Sequence, residues 1–460
     1  MEDYAAEGKS LARVDGKVIF IEQAVPGDVV DVRLSKSKKD WAEGKAIHIH
    51  EFSADRVTPF CSHFLICGGC KWQMLPYKKQ LQYKQQQVKD NLQRIGKIAL
   101  PEILPVMGAD TSEYYRNKLE YTFSNKRFLL SGEVKDETIS AVQNVLGFHA
   151  PGLFDKVVDI DTCYLMAEPN NAIRLAVKKF AVENNFSFYD IRNHTGLLRT
   201  MQLRICTTGE VMVNIVFGED DKAKREMLLR FLINEFPDIT ALLYTINTKM
   251  NDSLFGLEPV IYSGKDHVVE MLSTGFKGED FKYIIGPKSF FQTNTRQAEK
   301  LYQATKDFAE LTGNETVYDL YCGTGSIGIF VSKQAKKIIG VELVQEAIDD
   351  AKKNAVLNEL TNTSFFAGDV IEICNEDFFA AHGKPDVIIT DPPRVGMHEK
   401  LVKKILEMEA PVVVYVSCNP ATQARDLNLL SEKYQVTKIQ PVDMFPHTHH
   451  IENVVQLKLK

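Results

Sequence analysis

No apolar run in this chain of 460 residues approaches the ~18 residues that a bilayer-spanning helix requires. The opening "MEDYAAEGKS" is acidic where a secretory leader is basic and then apolar, so a cytosolic (cytoplasmic) protein is expected. Net positive charge is missing too. The formal charge is −6 and the pI about 6.1, which argues against indiscriminate nucleic-acid binding but leaves room for a local basic face. No internal repeat or low-complexity linker stands out. No Gly-Lys-Ser/Thr follows the glycine turn near 323, which argues against a nucleoside-triphosphate phosphate loop. Cysteine is sparse, with eight in all, and under reducing conditions these point to metal binding or catalysis rather than disulfides.

What is there suits about three domains, since a chain this long outgrows one hydrophobic core. Residues 1–52 alternate short β-rich runs with turn signals such as Asp15-Gly16 and Pro26-Gly27, the pattern of a small oligonucleotide-binding-like barrel. A central α/β unit is expected over 53–272, with a long polar helix near 76–97 and a hairpin formed by "GLLRTMQLRIC" and "VMVNIVF". From about 315 strands alternate with helices, as in a parallel, doubly wound sheet, and 273–460 form the third unit.

In that third unit, chemistry collects at strand ends, where open α/β sheets place ligands. Gly323 and Gly325 separate a strand from a helix, and Glu342 ends the next strand, where a carboxylate can accept both hydroxyls of a ribose. Asp369 follows the third strand and can face an adenine. NAD and S-adenosylmethionine both fit this outline. "DPPR", Asp391 to Arg394, forms a rigid, donor-poor turn suited to an aromatic base beside a methyl donor. "VVVYVSCNP", 412–420, is a buried strand that stops at Cys418, because Pro420 cannot extend its ladder. Methylating a pyrimidine carbon needs a thiolate to activate the ring, a base to remove the C5 proton and donors for the developing oxyanion. Cys418, Glu452 and nearby amide or guanidinium groups supply those parts. His447, His449 and His450, on one short loop without a fourth partner, make a poor metal site.

"FFQTN", "YDLYCGTGS", "DPPRVG", "VSCNP" and "FPHTHHIE" resemble, in order and spacing, the RNA (uracil-5-)-methyltransferase family, and in particular its 23S ribosomal RNA branch with an N-terminal TRAM domain. The resemblance implies a Rossmann-like methyltransferase domain, with Cys418 as nucleophile and Glu452 as base, and with the helix near 76–97 packed on that domain although it precedes the central one. It also implies that Gln292, Tyr321, Ser326, Glu342, Asp369 and Asp391 line the pocket for S-adenosylmethionine and substrate, although related enzymes often carry Asn where Ser326 stands. The chain starts about where the first strand of a TRAM domain should already be under way, so either the barrel lacks part of that strand or a few upstream residues are missing.

"CSHFLICGGC" places Cys61, Cys67 and Cys70 in a C-x5-C-x2-C spacing, and Cys163 can add a fourth thiolate. Four thiolates suit structural zinc or a [4Fe–4S] cluster; the family resemblance implies the cluster. Cys206, Cys322 and Cys374 are expected to be packing residues. RNA is the expected partner. Candidate contacts are the basic, aromatic stretch 71–97, the segment holding Lys36, Lys38, Lys39 and Trp41, and Arg116, Lys118, Arg199 and Arg204. The target uracil must leave its stack to reach Cys418. Alternatives are the same reaction on transfer RNA, amino-group methylation, which needs no cysteine, and a non-catalytic assembly factor. A monomer is the default.

Overall fold

The valine- and isoleucine-rich runs after residue 315 become neighbouring strands of one sheet. In the computed structural model, which describes residues 1–130, 132–136, 138–275 and 279–460, that sheet has seven strands. Their order is Thr363–Ala367, Lys337–Glu342, Thr316–Leu320, Val387–Thr390, Val412–Ser417, Glu452–Leu459 and Tyr434–Val442. The first five are parallel, as right-handed helical crossovers require. Glu452–Leu459 pairs antiparallel with both its neighbours, Val412–Ser417 and Tyr434–Val442, which corrects the expectation of an all-parallel sheet. No helix separates 434–442 from 452–459, so the chain turns back through a loop and pairs in the reverse sense.

The central sheet also has seven strands, and Leu198–Ile205 and Val211–Phe217 form the expected antiparallel hairpin within it. Helices Asn170–Glu183 and Lys222–Glu235 belong to this unit, and their apolar residues share its core. A separate hairpin, Val268–Leu272 with Phe281–Ile285, joins the apolar core of the catalytic sheet. The expected boundary between 272 and 273 therefore cuts a hairpin whose two strands share one core.

At the N-terminus five strands pair in the order Asp3–Tyr4, Ser10–Val14, Lys17–Glu22, Trp41–Glu51 and Val29–Ser37. Among the described residues no ladder joins the outermost two, so the ladders form a five-stranded sheet and do not by themselves close it into the expected barrel. Its first strand has two residues. Tyr4 packs on Trp72 and Tyr83, with ring centroids 5.0 and 4.6 Å apart, and this fastens the sheet to the helix Tyr77–Asn91. Val88 and Leu92, at the end of that helix and in the turn after it, enter the core of the catalytic sheet. Asn428 Nδ2 donates to Gly96 O at 2.8 Å. Among the described residues no helix is long and apolar enough to cross a membrane.

Candidate active site

Two glycines shape the first turn of the catalytic sheet. Gly323 and Gly325 have φ of 53° and 76°, and a Cβ on Gly325 would lie 3.0 Å from Phe365. Tyr321 also adopts a left-handed backbone, with φ 62°, as the chain leaves its strand. Glu342 closes the next strand and accepts from Gly323 N–H at 3.3 Å and Val344 N–H at 3.1 Å. A carboxylate offers about four acceptor positions, so capacity remains for hydroxyls of a ligand. Asp369 stands at the adjoining strand end, but it is exposed and one oxygen caps the helix Val370–Ile373 through Ile371 N–H at 2.8 Å. Ser326 Oγ lies 3.0 Å from Tyr302 OH, inside the fold. Gln292 is buried just before the helix Thr295–Ala309, and Asn117 Nδ2 holds its carbonyl at 3.0 Å.

The second half of the site forms where strand direction reverses. Ser417 pairs with Asn453 as the last step of the antiparallel ladder, and Cys418 follows it, near enough to Glu452 for that carboxyl to act on the thiol. Gln423 fixes this pair from below. Its Nε2 donates to Tyr415 O at 3.0 Å and Asn453 O at 3.1 Å, while Asn453 Nδ2 donates back at 2.7 Å. Asp391 leaves the neighbouring parallel strand, and its turn is tied to the cysteine turn by Asn419 Nδ2 donating to Arg394 O at 3.0 Å. The proline-rich turn and the cysteine turn are thus hydrogen-bonded to each other.

Burial and like charge set the protonation of this cluster. Burial above all, then the Glu452 and Asp391 carboxyls, push the Cys418 thiol up to about 11, with Arg394 opposing them. Burial also raises both carboxyls, Glu452 additionally because Asp391 is beside it, against the pull of Arg394. The pair therefore retains a proton near neutral pH. Among the described residues no side-chain hydrogen bond engages Cys418, Asp391 or Glu452, so all three remain available to a ligand.

Sequence reading overlooked Asp319. It sits wholly buried beneath the glycine turn, accepts Gly328 N–H at 2.9 Å, and burial pushes it to about 7. A mid-strand acid among apolar neighbours was the available signal.

Elsewhere the structure brings Cys61, Cys67, Cys70 and Cys163 to the wall of one cavity, with His63 and the aliphatic Ile160 and Leu165. Burial raises all four thiols, Cys67 to about 12 and Cys70 to about 11, with the neighbouring cysteines adding to the shift in three of them. Four converging thiols suit a thiophilic centre, whose positive charge would remove the cost of ionising them. Among the described residues no three His, Cys, Asp or Glu side chains are spaced for a single ion. Cys206, Cys322 and Cys374 are buried in packing positions.

Two expected RNA contacts are corrected. Arg199 and Arg204 are each 2% exposed. Arg199 is spent on Asn247 O, Lys249 O and the Asp252 carboxylate, and Arg204 on Asn117 Oδ1. Within 71–97, Lys84 and Trp72 are buried as well, while Lys78, Lys89 and Lys97 remain at the surface or partly so. In the N-terminal sheet Lys36 Nζ lies 4.9 Å over the Trp41 ring, beside the exposed Lys38 and Lys39.

Residues 257–460 match the tRNA (Uracil-5-)-methyltransferase family, and residues 2–47 match the TRAM domain. An RNA methyltransferase of Bacteroides thetaiotaomicron is 52% identical over 459 residues, covering 99% of this chain and 100% of that one. Another, from Chlorobaculum tepidum, is 40% identical, covering 98% and 94%. The crystal structure of Pyrococcus abyssi tRNA (uracil-54, C5)-methyltransferase in complex with S-adenosyl-L-homocysteine superposes with a TM-score of 0.76 at 28% identity, covering 99% and 98% of the two chains. With the five-stranded module at one end and the reversed-strand site at the other, this chain belongs to the RNA (uracil-5-)-methyltransferase family, an S-adenosylmethionine-dependent fold carrying an N-terminal TRAM domain.

Proposed function

We propose that the chain transfers a methyl group from S-adenosylmethionine to C5 of a uridine in 23S ribosomal RNA, with Cys418 as nucleophile and Glu452 as base. The observation that carries the reading is that the ladder of 412–417 against 452–459 ends where Cys418, Glu452 and Asp391 come close enough for the two carboxyls to act on the thiol and on each other. A neutral uracil carbon is too poor a nucleophile to attack a methyl donor unaided. Cys418 gives its proton to solvent water and the thiolate adds to C6, converting the ring to an enolate whose oxygen is met by Arg394 or the Gln292 amide. When bound, S-adenosylmethionine supplies an electrophilic methyl on a sulfonium. After C5 takes that methyl, Glu452 removes the C5 proton, the C6–S bond breaks and the thiolate leaves. Glu342 is suited to the ribose hydroxyls of the donor, and Tyr321 and Asp391 flank the turns around it.

Cys61, Cys67, Cys70 and Cys163 would hold a [4Fe–4S] cluster, a role implied by the family resemblance and supported by their shared cavity. No step of the methyl transfer requires its electrons, so its part is structural or in positioning RNA. Basic and aromatic groups at Lys36, Lys38, Lys39 and Trp41 offer phosphate contact and stacking to the RNA. A transfer-RNA substrate is the second reading, favoured by the full-length likeness to the Pyrococcus enzyme. That likeness also means that domain content does not separate the two substrates.

The mechanism is tested with 5-fluorouridine RNA and methyl donor, which should trap a covalent adduct through Cys418; an adduct through another side chain, or none, overturns it. Mapping 5-methyluridine in 23S and transfer RNA from a deletion strain decides the substrate.

A further inference from the structure

Between the last two strands, residues 443–451 form the loop that delivers Glu452, and its backbone carbonyls are claimed from outside the catalytic sheet. Gln297 Nε2 donates to Asp443 O at 2.7 Å, Asn294 Nδ2 to Met444 O at 2.9 Å and Tyr115 OH to Pro446 O at 3.0 Å. Lys84 Nζ reaches Phe445 O at 3.2 Å and the Asp443 carboxylate at 2.5 Å, with both charged groups fully buried. Tyr77 OH adds a second donor to that carboxylate at 2.8 Å. Gln80, one helical turn before Lys84, grips His447 twice: Oε1 accepts its backbone N–H at 2.8 Å and Nε2 meets Nδ1 at 3.1 Å. His447 holds a left-handed backbone, φ 63°, which a non-glycine residue keeps only when its surroundings fix it.

We propose that Gln80, seated by the Lys84–Asp443 pair, is a positioning residue for the base Glu452, so that the helix Tyr77–Asn91 sets the proton-removal step from more than 350 residues away in sequence. This rests on the reading of Cys418 and Glu452 above. Gln80 has no direct access to the reacting atoms. It fixes the corner of the loop at 447, five residues before the carboxyl that must face C5. Loss of that grip leaves the cysteine turn untouched, since Asn419, Gln423 and Asn453 hold it independently. The defect therefore falls on the second half of the reaction.

The test uses full-length protein, methyl donor and unmodified uridine RNA, with adduct read as a shifted band under denaturing conditions. Gln80→Met should still form the C6 adduct and transfer methyl, but release should slow by about 10- to 100-fold, so methylated adduct accumulates. Glu452→Gln is the reference and should accumulate the same species. Tyr77→Phe, which removes one hydroxyl from Asp443, is the milder companion should Gln80→Met fail to fold, and it should show a smaller rise in adduct. If Glu452→Gln accumulates adduct while folded Gln80→Met and Tyr77→Phe do not, the positioning role is wrong and the base assignment stands. If Glu452→Gln accumulates none, the base assignment fails and the positioning role falls with it. A parallel loss of adduct formation and release in Gln80→Met also overturns the proposal, because it marks general damage.

Discussion

Cys418 and the Cys61–Cys67–Cys70–Cys163 group share a chemistry and a first cause of perturbation, since burial raises every one of these thiols. They differ in company. Cys418 ends a strand beside two carboxyls and an arginine, groups that can exchange a proton with it or balance its charge. The quartet is lined mainly by apolar walls and by one another, where four thiolates are tolerable only around a cation. A solitary cysteine among titrating groups is poised to form and break a bond, whereas clustered cysteines are poised to hold something permanently.

That contrast can be broken most severely at Cys418. Cys418→Ala should lower methyl transfer by about 10⁴-fold or more while leaving the melting temperature near that of the parent, checked by single-turnover assay and calorimetry. Glu452→Gln comes next, with turnover falling by about 10²- to 10⁴-fold. Because that change removes the anion that raises the Cys418 thiol, the rate of adduct formation should reach its plateau at lower pH than in the parent. An unmoved pH profile would show that the two groups do not sense each other. Cys67→Ser should reverse the pattern, costing more than about 4 kcal/mol of stability and the iron of the proposed cluster, seen by denaturant unfolding and elemental analysis. The smallest effect is expected from Asp391→Asn. A carboxyl whose folded pKa is raised contributes its stability at low pH and loses it as pH climbs through the folded value. The variant should therefore gain stability over the parent at pH 8, gain less at pH 5, and lose activity at both.

The local reading of the sequence reached the turns. Strand runs that stop at Cys418, Asp391 and Glu342 are visible because side-chain periodicity and proline act within a few residues. The spacing of Cys61, Cys67 and Cys70 is legible for the same reason. Pairings over distance were not. The resemblance implied that the helix near 76–97 packs on the catalytic unit, but nothing near Lys84 announces Asp443, and from its own lysines and glutamines the helix read as a surface for solvent or RNA although Gln80 and Lys84 are fully buried. Arg199 and Arg204 misled likewise, since a buried arginine and an exposed one look alike until the carbonyls and amides that satisfy them are placed. The strand 434–442 and the antiparallel finish of the sheet went unseen because its polar Gln435, Thr437, Lys438 and Gln440 blur the apolar run.

The Lys84–Asp443 pair has a practical corollary for anyone dissecting or recombining such proteins. A catalytic fragment begun at the hairpin near 268 would strand a carboxylate in its interior without a counter-ion, at a penalty of about 3–5 kcal/mol. Grafting a different RNA-binding front end therefore has to transplant the helix Tyr77–Asn91 with the methyltransferase half. The natural unit of exchange in this protein is discontinuous along the chain.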